Sequence, residues 1–205
     1  MKNLRISTCL AVFLCIVSSA HASAAFYLRP SLCYTDVSIV TNEYTSGKVG
    51  FSLAAGLALG ARQSHALELE AVSTTGMKAH QVSNSNGTIT TNNDTRDLSQ
   101  YLFSFKYTFP PRDSRIRFFI GPTAGYFTEK GKNTQSTAFT YSPVVYPPTS
   151  RSISETGALV GPTAGATFSV NTHAKVELSY RHLFMISQYN GHVARQFSAS
   201  FRYLF

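Results

Sequence analysis

The sequence predicts an all-β protein: eight antiparallel strands closed into an up-and-down transmembrane β-barrel, behind an N-terminal export signal. Three observations predict it. The composition is poor in charge and rich in rings, with 14% charged residues, Phe 15, Tyr 11 and no Trp in 205 residues, where a typical soluble domain carries about 25% charged residues. Apolar and polar positions alternate with period two in segment after segment, the pattern of strands with two unlike faces. The connections between those segments alternate between long and short. Low charge with abundant Phe and Tyr argues against an unfolded chain. The longest unbroken apolar run, the nine residues 9–17, is well short of the roughly 20 that a membrane-spanning helix needs.

The first element is an address. Lys2 and Arg5 form a short basic region, residues 6–17 are mostly apolar, and Ala20-His21-Ala22 and Ala22-Ser23-Ala24 are overlapping small-x-small sites. These are the parts of a secretory signal peptide, expected to span residues 1–24 and to leave residues 25–205 as the barrel. Its removal lowers the net charge from +8 to +6 and takes away Cys9 and Cys15. Cys33 then stands alone, and one cysteine forms neither an internal disulfide nor a zinc site.

Eight segments follow. The first, near 26–39, alternates weakly. Near 49–61, Val49, Phe51, Leu53, Ala55, Leu57 and Leu59 oppose small residues such as Ser52, Ala54 and Gly56. Near 66–74, Leu67, Leu69 and Ala71 oppose Glu68, Glu70 and Val72. Near 99–109, Tyr101, Phe103, Phe105, Tyr107 and Phe109 oppose Gln100, Leu102, Ser104, Lys106 and Thr108. The fifth and sixth, near 115–127 and 156–170, are weaker. Near 174–185, Val176, Leu178 and Tyr180 oppose Lys175, Glu177, Ser179 and Arg181, and the chain closes on Phe197, Ala199, Phe201, Tyr203 and Phe205 opposite Ser198, Ser200, Arg202 and Leu204. A soluble sandwich also alternates. Here, however, the apolar face is large and aromatic while the other face is small or sparsely charged. That is a barrel turned inside out, with its bulky face in lipid and a polar interior. Strands of about 10–13 residues fit the 9–11 or so that a tilted strand needs to cross a bilayer. Lipid leaves no unpaired backbone group tolerable, so the sheet must close. Eight strands give an interior that side chains can just fill.

The connections near 40–48, 80–96 and 129–152 are long and polar, with a seventh near 188–193. Those at 62–65, 110–114 and 171–173 are tight. Long loops at one rim and short turns at the other is the build of outer-membrane barrels, and it places both termini at the periplasmic rim. The loops at 80–96 and 129–152 are rich in turn formers, including Asn84-Ser85-Asn86-Gly87 and Pro147-Pro148, and are expected to be mobile. Gly121-Pro122-Thr123-Ala124-Gly125 recurs as Gly161-Pro162-Thr163-Ala164-Gly165. A Pro inside a strand removes a ladder donor, so a bulge or kink is expected in both strands.

The C-terminal stretch, Tyr180-Arg181-His182, then Asn190-Gly191-His192, then residues 197–205 ending in Arg202-Tyr203-Leu204-Phe205, resembles the end of the small eight-stranded outer-membrane β-barrels of Gram-negative bacteria, the OmpA/OmpX and opacity-type group. The resemblance implies location in the outer membrane, with lipid and lipopolysaccharide as surroundings. It also implies that Phe201, Tyr203 and the terminal Phe205 form the signal read by the barrel-assembly machinery. A monomer is expected.

Such barrels carry ion pairs inside. Parity places Arg29, Glu68, Glu70, Lys106, Arg117, Lys175, Glu177, Arg181 and Arg202 on the inward face, and buried charges need partners, so a Glu–Arg/Lys network is expected. The resemblance also covers enzymes acting on lipid A, in which a late-strand His is followed closely by Ser with an acid further on. Here His182 is followed by Leu183-Phe184, Ser187 stands five residues on, and no Asp or Glu lies beyond Glu177. No histidine shows metal-ligand spacing, no cofactor motif is present, and no basic-aromatic pattern points to nucleic acid. Lys78, Arg96, Lys130, Lys132 and Arg151 flank the second and third long loops, where they could meet lipopolysaccharide phosphates or a sulfated host sugar. The expected function is non-enzymatic: a structural surface protein, adhesin or surface antigen acting on a host ligand through its loops. A lipid A-modifying enzyme and a narrow channel are the alternatives.

Overall fold

The computed structural model describes residues 24–39, 45–60, 63–109, 115–141, 146–187 and 191–205. The expected signal peptide, apart from Ala24, lies outside them, as do residues 40–44, 61–62, 110–114, 142–145 and 188–190 of the connections. Eight long strands run β1 Ala25–Ile39, β2 Lys48–Leu59, β3 His65–Ser85, β4 Thr88–Thr108, β5 Ile116–Phe139, β6 Thr149–Ser169, β7 Ala174–Ile186 and β8 Gly191–Leu204. Each pairs antiparallel with its sequence neighbours, and β8 pairs with β1 to close the ring. A two-residue piece, Thr45–Ser46, pairs with Lys78 and Ala79 of β3. The ends meet at one rim, where the Phe205 amide donates to the Phe26 carbonyl at 2.9 Å. The tight turn before β7 lies at the same rim. There the Asn171 Oδ1 accepts from the amides of His173 (2.8 Å) and Ala174 (2.7 Å), the local bond that makes Asn a turn residue.

The apolar face points outward. Phe51, Leu53, Leu69 and Phe118 are 57–69% exposed, values that in a soluble domain would be a liability and here measure contact with lipid. The alternate positions fill the interior with polar and small residues and, in its middle, with large apolar ones.

The loops expected at 80–96 and 129–152 are largely strand. β3 and β4 continue through the first to a two-residue turn at Asn86-Gly87, and β5 and β6 continue into the second as far as Phe139 and from Thr149. Asn86 (φ 50°) and Gly87 (φ 76°) are both left-handed, the conformation of the hairpin turn whose twist matches that of the strands it joins. The flanking Thr88-Ile89-Thr90-Thr91 is β-branched, which favours extended backbone. The result is a four-stranded sheet standing above the membrane level, continuous with the barrel wall from β3 to β6. One register shift, between Thr74 and Met77, marks where β3 leaves the barrel proper. At that bulge Gly76 has φ 68° and its amide donates to Asp97 Oδ1 at 2.8 Å.

The paired Gly-Pro repeats contain no register shift, contrary to the expected bulge. Pro122 lies directly opposite Pro162. The ladders on their outer sides, β4–β5 and β6–β7, lose partners at the prolines yet keep the same register beyond them. The glycine before each proline makes this geometry fit. A Cβ on Gly121 would lie 1.7 Å from the Phe105 carbonyl oxygen, and one on Gly161 would lie 1.9 Å from that of His182. The strand that lacks a donor therefore moves in closely, which only glycine permits.

Candidate functional site: a plugged interior beneath a raised sheet

The inward residues of β4, read from the periplasmic end, are Lys106, Ser104, Leu102, Gln100, Leu98, Arg96 and Asp94. That order gives the three layers of the interior: charged, then largely apolar with Gln100 between Leu102 and Leu98, then charged again at Arg96 and Asp94.

The lower layer is an ion network. Arg29 grips Glu68 through two nitrogens (Nη2–Oε1 2.6 Å, Nε–Oε2 2.9 Å) and reaches Glu70 Oε2 at 2.6 Å. Lys106 Nζ lies 2.7 Å from Glu177 Oε1 and 3.2 Å from Glu68 Oε2. Arg181 pairs with Glu70, and Arg202 with Glu177. All seven residues are buried. Four cations meet three carboxylates, and uncharged groups take up the excess positive charge. The Arg202 guanidinium lies 4.3 Å from the Tyr27 ring centroid, Lys106 Nζ lies 4.9 Å from that of Phe119, and Arg181 Nη1 donates to Gln196 Oε1 at 2.9 Å. Tyr27 also donates its hydroxyl to Glu68 Oε2 at 3.0 Å. Such close, multiply bonded geometry is what makes buried charge tolerable. Arg117 and Lys175, the other two inward candidates, are half-buried nearer the periplasmic mouth, where Lys175 donates to Gln63.

Tyr27 and Gln196 were not foreseen as members. Their parity was legible. Their partners depend on how far each strand is staggered against the next.

The middle layer departs from the polar interior that the sequence suggested. Val72, Leu98, Leu102, Phe127, Leu159, Leu183 and Met185 form one buried apolar cluster with Cys33, Val37, Met77 and Ala194. Above it, Arg96 donates to Asp94 Oδ2 (2.8 Å) and Glu129 Oε1 (2.7 Å), and Asn133 donates to Asp94. Burial alone would lower the Arg96 pKa; the two carboxylates outweigh it and hold the pKa above its ordinary value. This cluster borders a cleft of about 830 Å³ on the raised sheet, lined by Asn92, Asn133, Gln135, Arg151, Ser152 and Glu155 among others. The sequence placed these residues in mobile loops. The signal that could have found them is parity: Asp94, Arg96 and Leu98 continue the inward face of β4.

On the outer wall, Phe201, Tyr203 and Phe205 all face lipid, and Tyr203 and Phe205 pack edge to face at 5.1 Å. His182 is half-buried on the same wall, its Nδ1 3.3 Å from the Tyr180 hydroxyl and its ring against Phe184.

A closed ring of strands with lipid-facing aromatics and a salt-bridged interior defines a transmembrane β-barrel of the outer-membrane class. The chain belongs to the outer membrane protein beta-barrel domain family, whose model matches residues 7–205, and its location is the outer membrane. Among solved structures it is similar to Neisserial surface protein A, with 14% identity and a TM-score of 0.54 over 90% of this chain and 100% of that one. It is equally similar to Ail, the attachment invasion locus protein of Yersinia pestis, crystallised with the heparin analogue sucrose octasulfate, with 10% identity and a TM-score of 0.54 over the same shares. At these identities the likeness is one of fold. Among curated proteins none matches this chain in sequence.

Proposed function

We propose that the protein is a non-enzymatic surface protein, a rigid barrel that presents its raised sheet to a ligand outside the cell, as an adhesin or surface antigen does. The observation that carries this reading is the continuation of β3–β6 above the barrel as ordered hairpins around a polar cleft. Ordered extensions favour recognition, because less conformational freedom is lost on binding. The filled interior supports a scaffold over a pore, and His182 has the Tyr180 hydroxyl and the Phe184 ring as neighbours. Residues 1–24 act as the export signal in this reading, and Phe201, Tyr203 and Phe205 as the assembly signal.

The test is to express the protein in a non-adherent bacterium beside a version with residues 82–94 and 131–150 replaced by short Gly/Ser turns. Both should migrate faster in SDS unheated than boiled, the mark of a folded barrel, and reach equal surface levels. Host-cell binding by the intact form alone is the expected result. Equal binding by both forms, or by neither, overturns it. A change in lipid A mass on expression would replace it with the enzyme reading.

A further inference from the structure

The outer wall of β1, β8 and β7 carries a polar row where lipid contact is expected. Three consecutive outward rows cross these strands. The lowest is Leu32, Ala199 and Leu178; the next is Tyr34, Phe197 and Tyr180; the third is Asp36, Arg195 and His182. On β7 the wall beyond the third row turns apolar again, at Phe184 and Ile186. Charge on the lipid face of a barrel is costly except near the interface. The tyrosine row fixes where that interface lies, since Tyr gathers at headgroup level. Arg195 and His182, one step above it, therefore stand at the depth of the outer-leaflet phosphates.

The chemistry there is suited to an anion. The Arg195 side chain is 49% exposed, and its Nη1 lies 3.8 Å from Asp36 Oδ2. At that distance Asp36 steers the guanidinium without a hydrogen bond, so its planar fork keeps donors for a phosphoryl group. The Tyr180 hydroxyl beside His182 Nδ1 leaves Nε2 as the second nitrogen for the same ligand. Directly below, the two lower rows line an apolar groove of about 990 Å³ that extends across β6 and β5. Its floor is low because Ala164, Ala166 and Ala199 stand where other outward positions hold rings.

We infer that Arg195 and His182, with the groove beneath them, bind a phosphorylated glycolipid of the outer leaflet, its phosphate on the basic pair and its acyl chains along the alanine floor. The site is on the opposite side of the wall from the interior network. It does not depend on an adhesive role.

Native mass spectrometry of the folded protein in detergent tests this. The probes are bis-phosphorylated lipid A, the same lipid with both phosphates removed, and inorganic phosphate. The wild type should hold the phosphorylated lipid about tenfold more tightly than the dephosphorylated one, the scale of one charge-assisted hydrogen bond. Arg195→Gln should erase that preference, and Arg195→Lys should restore part of it. Ala199→Phe, which raises the groove floor, should weaken both lipids and leave their ratio unchanged. Leu178→Trp is the substitute should Ala199→Phe not fold. Heat-modifiable migration confirms folding of every variant. An unchanged preference in Arg195→Gln, equal binding of the two lipids by the wild type, or displacement of the lipid by inorganic phosphate at equal concentration would each overturn the assignment.

Discussion

At the residue scale, the stability of the interior turns on three carboxylates. Glu177 holds Lys106 at 2.7 Å and also binds Arg202. Glu177→Gln keeps the volume and removes the charge, leaving both cations short of a buried partner. Breaking such a pair costs about 3–5 kcal/mol, more than the pair itself contributes, because the surviving charge stays desolvated. The urea midpoint of the barrel folded in lipid vesicles should fall accordingly. Lys175→Gln, at a half-buried position by the mouth, should shift it by less than about 1 kcal/mol. Equal shifts for the two would show that the network is not the anchor. The inward parity of the network's seven buried charges was legible from alternation, because period two fixes the face. Which of them touch was not. Arg29 meets Glu68 and Glu70 across 39 and 41 residues, and that meeting is set by the stagger of β1, β2 and β3.

At the scale of the element, the barrel wall separates two chemistries one residue apart. On β4, Phe103 points to lipid while Leu102 is buried within. Phe103→Arg should cost about 2–4 kcal/mol, the range for a cation near the bilayer midplane, measured by the same unfolding titration. The penalty should shrink toward 0–1 kcal/mol for Tyr126→Arg, closer to the outer interface. A flat profile across these two sites would place the membrane elsewhere on the wall. Membrane strands were readable for this reason: lipid demands a bulky face, so the alternation is loud. Above the membrane that demand ends, and residues 80–96 hold only Val82 and Ile89 as bulky apolar side chains. Their strand character lay in the Asn86-Gly87 turn and the β-branched run after it, signals that composition alone hides. The Gly-Pro repeats misled in the other direction. Each proline suggested a bulge, but Gly121 and Gly161 let the neighbouring carbonyl approach closely enough for the register to run on.

For the whole molecule, the layers decide between a scaffold and a pore. An ion entering from outside meets the Arg96 cluster first, then the apolar layer of Leu98, Leu102, Phe127, Leu159, Leu183 and Met185. A bare ion pays heavily to enter such a layer. Beneath it lies the network in which seven charged residues already bond one another. Each layer is a barrier by itself, the apolar one because it offers a bare ion nothing in place of its water and the network because its groups are already bonded to one another. An ion must pass both, for the polar seam of Thr74, Thr35 and Gln196 that runs between them is buried and hydrogen-bonded within itself and to Arg181. In a planar bilayer the wild-type protein should therefore give no discrete conductance steps. Replacing Leu98, Leu102 and Leu159 together with Ser should still give none, since the ion network remains below. Adding Glu177→Gln to that triple variant removes the carboxylate that holds Lys106 and Arg202, and only then should brief openings occur. Steps in the wild type would mean that the interior rearranges in the bilayer, and the channel reading would displace the scaffold. Steps in the triple variant alone would assign the seal to the apolar layer and leave the buried charges a purely structural part.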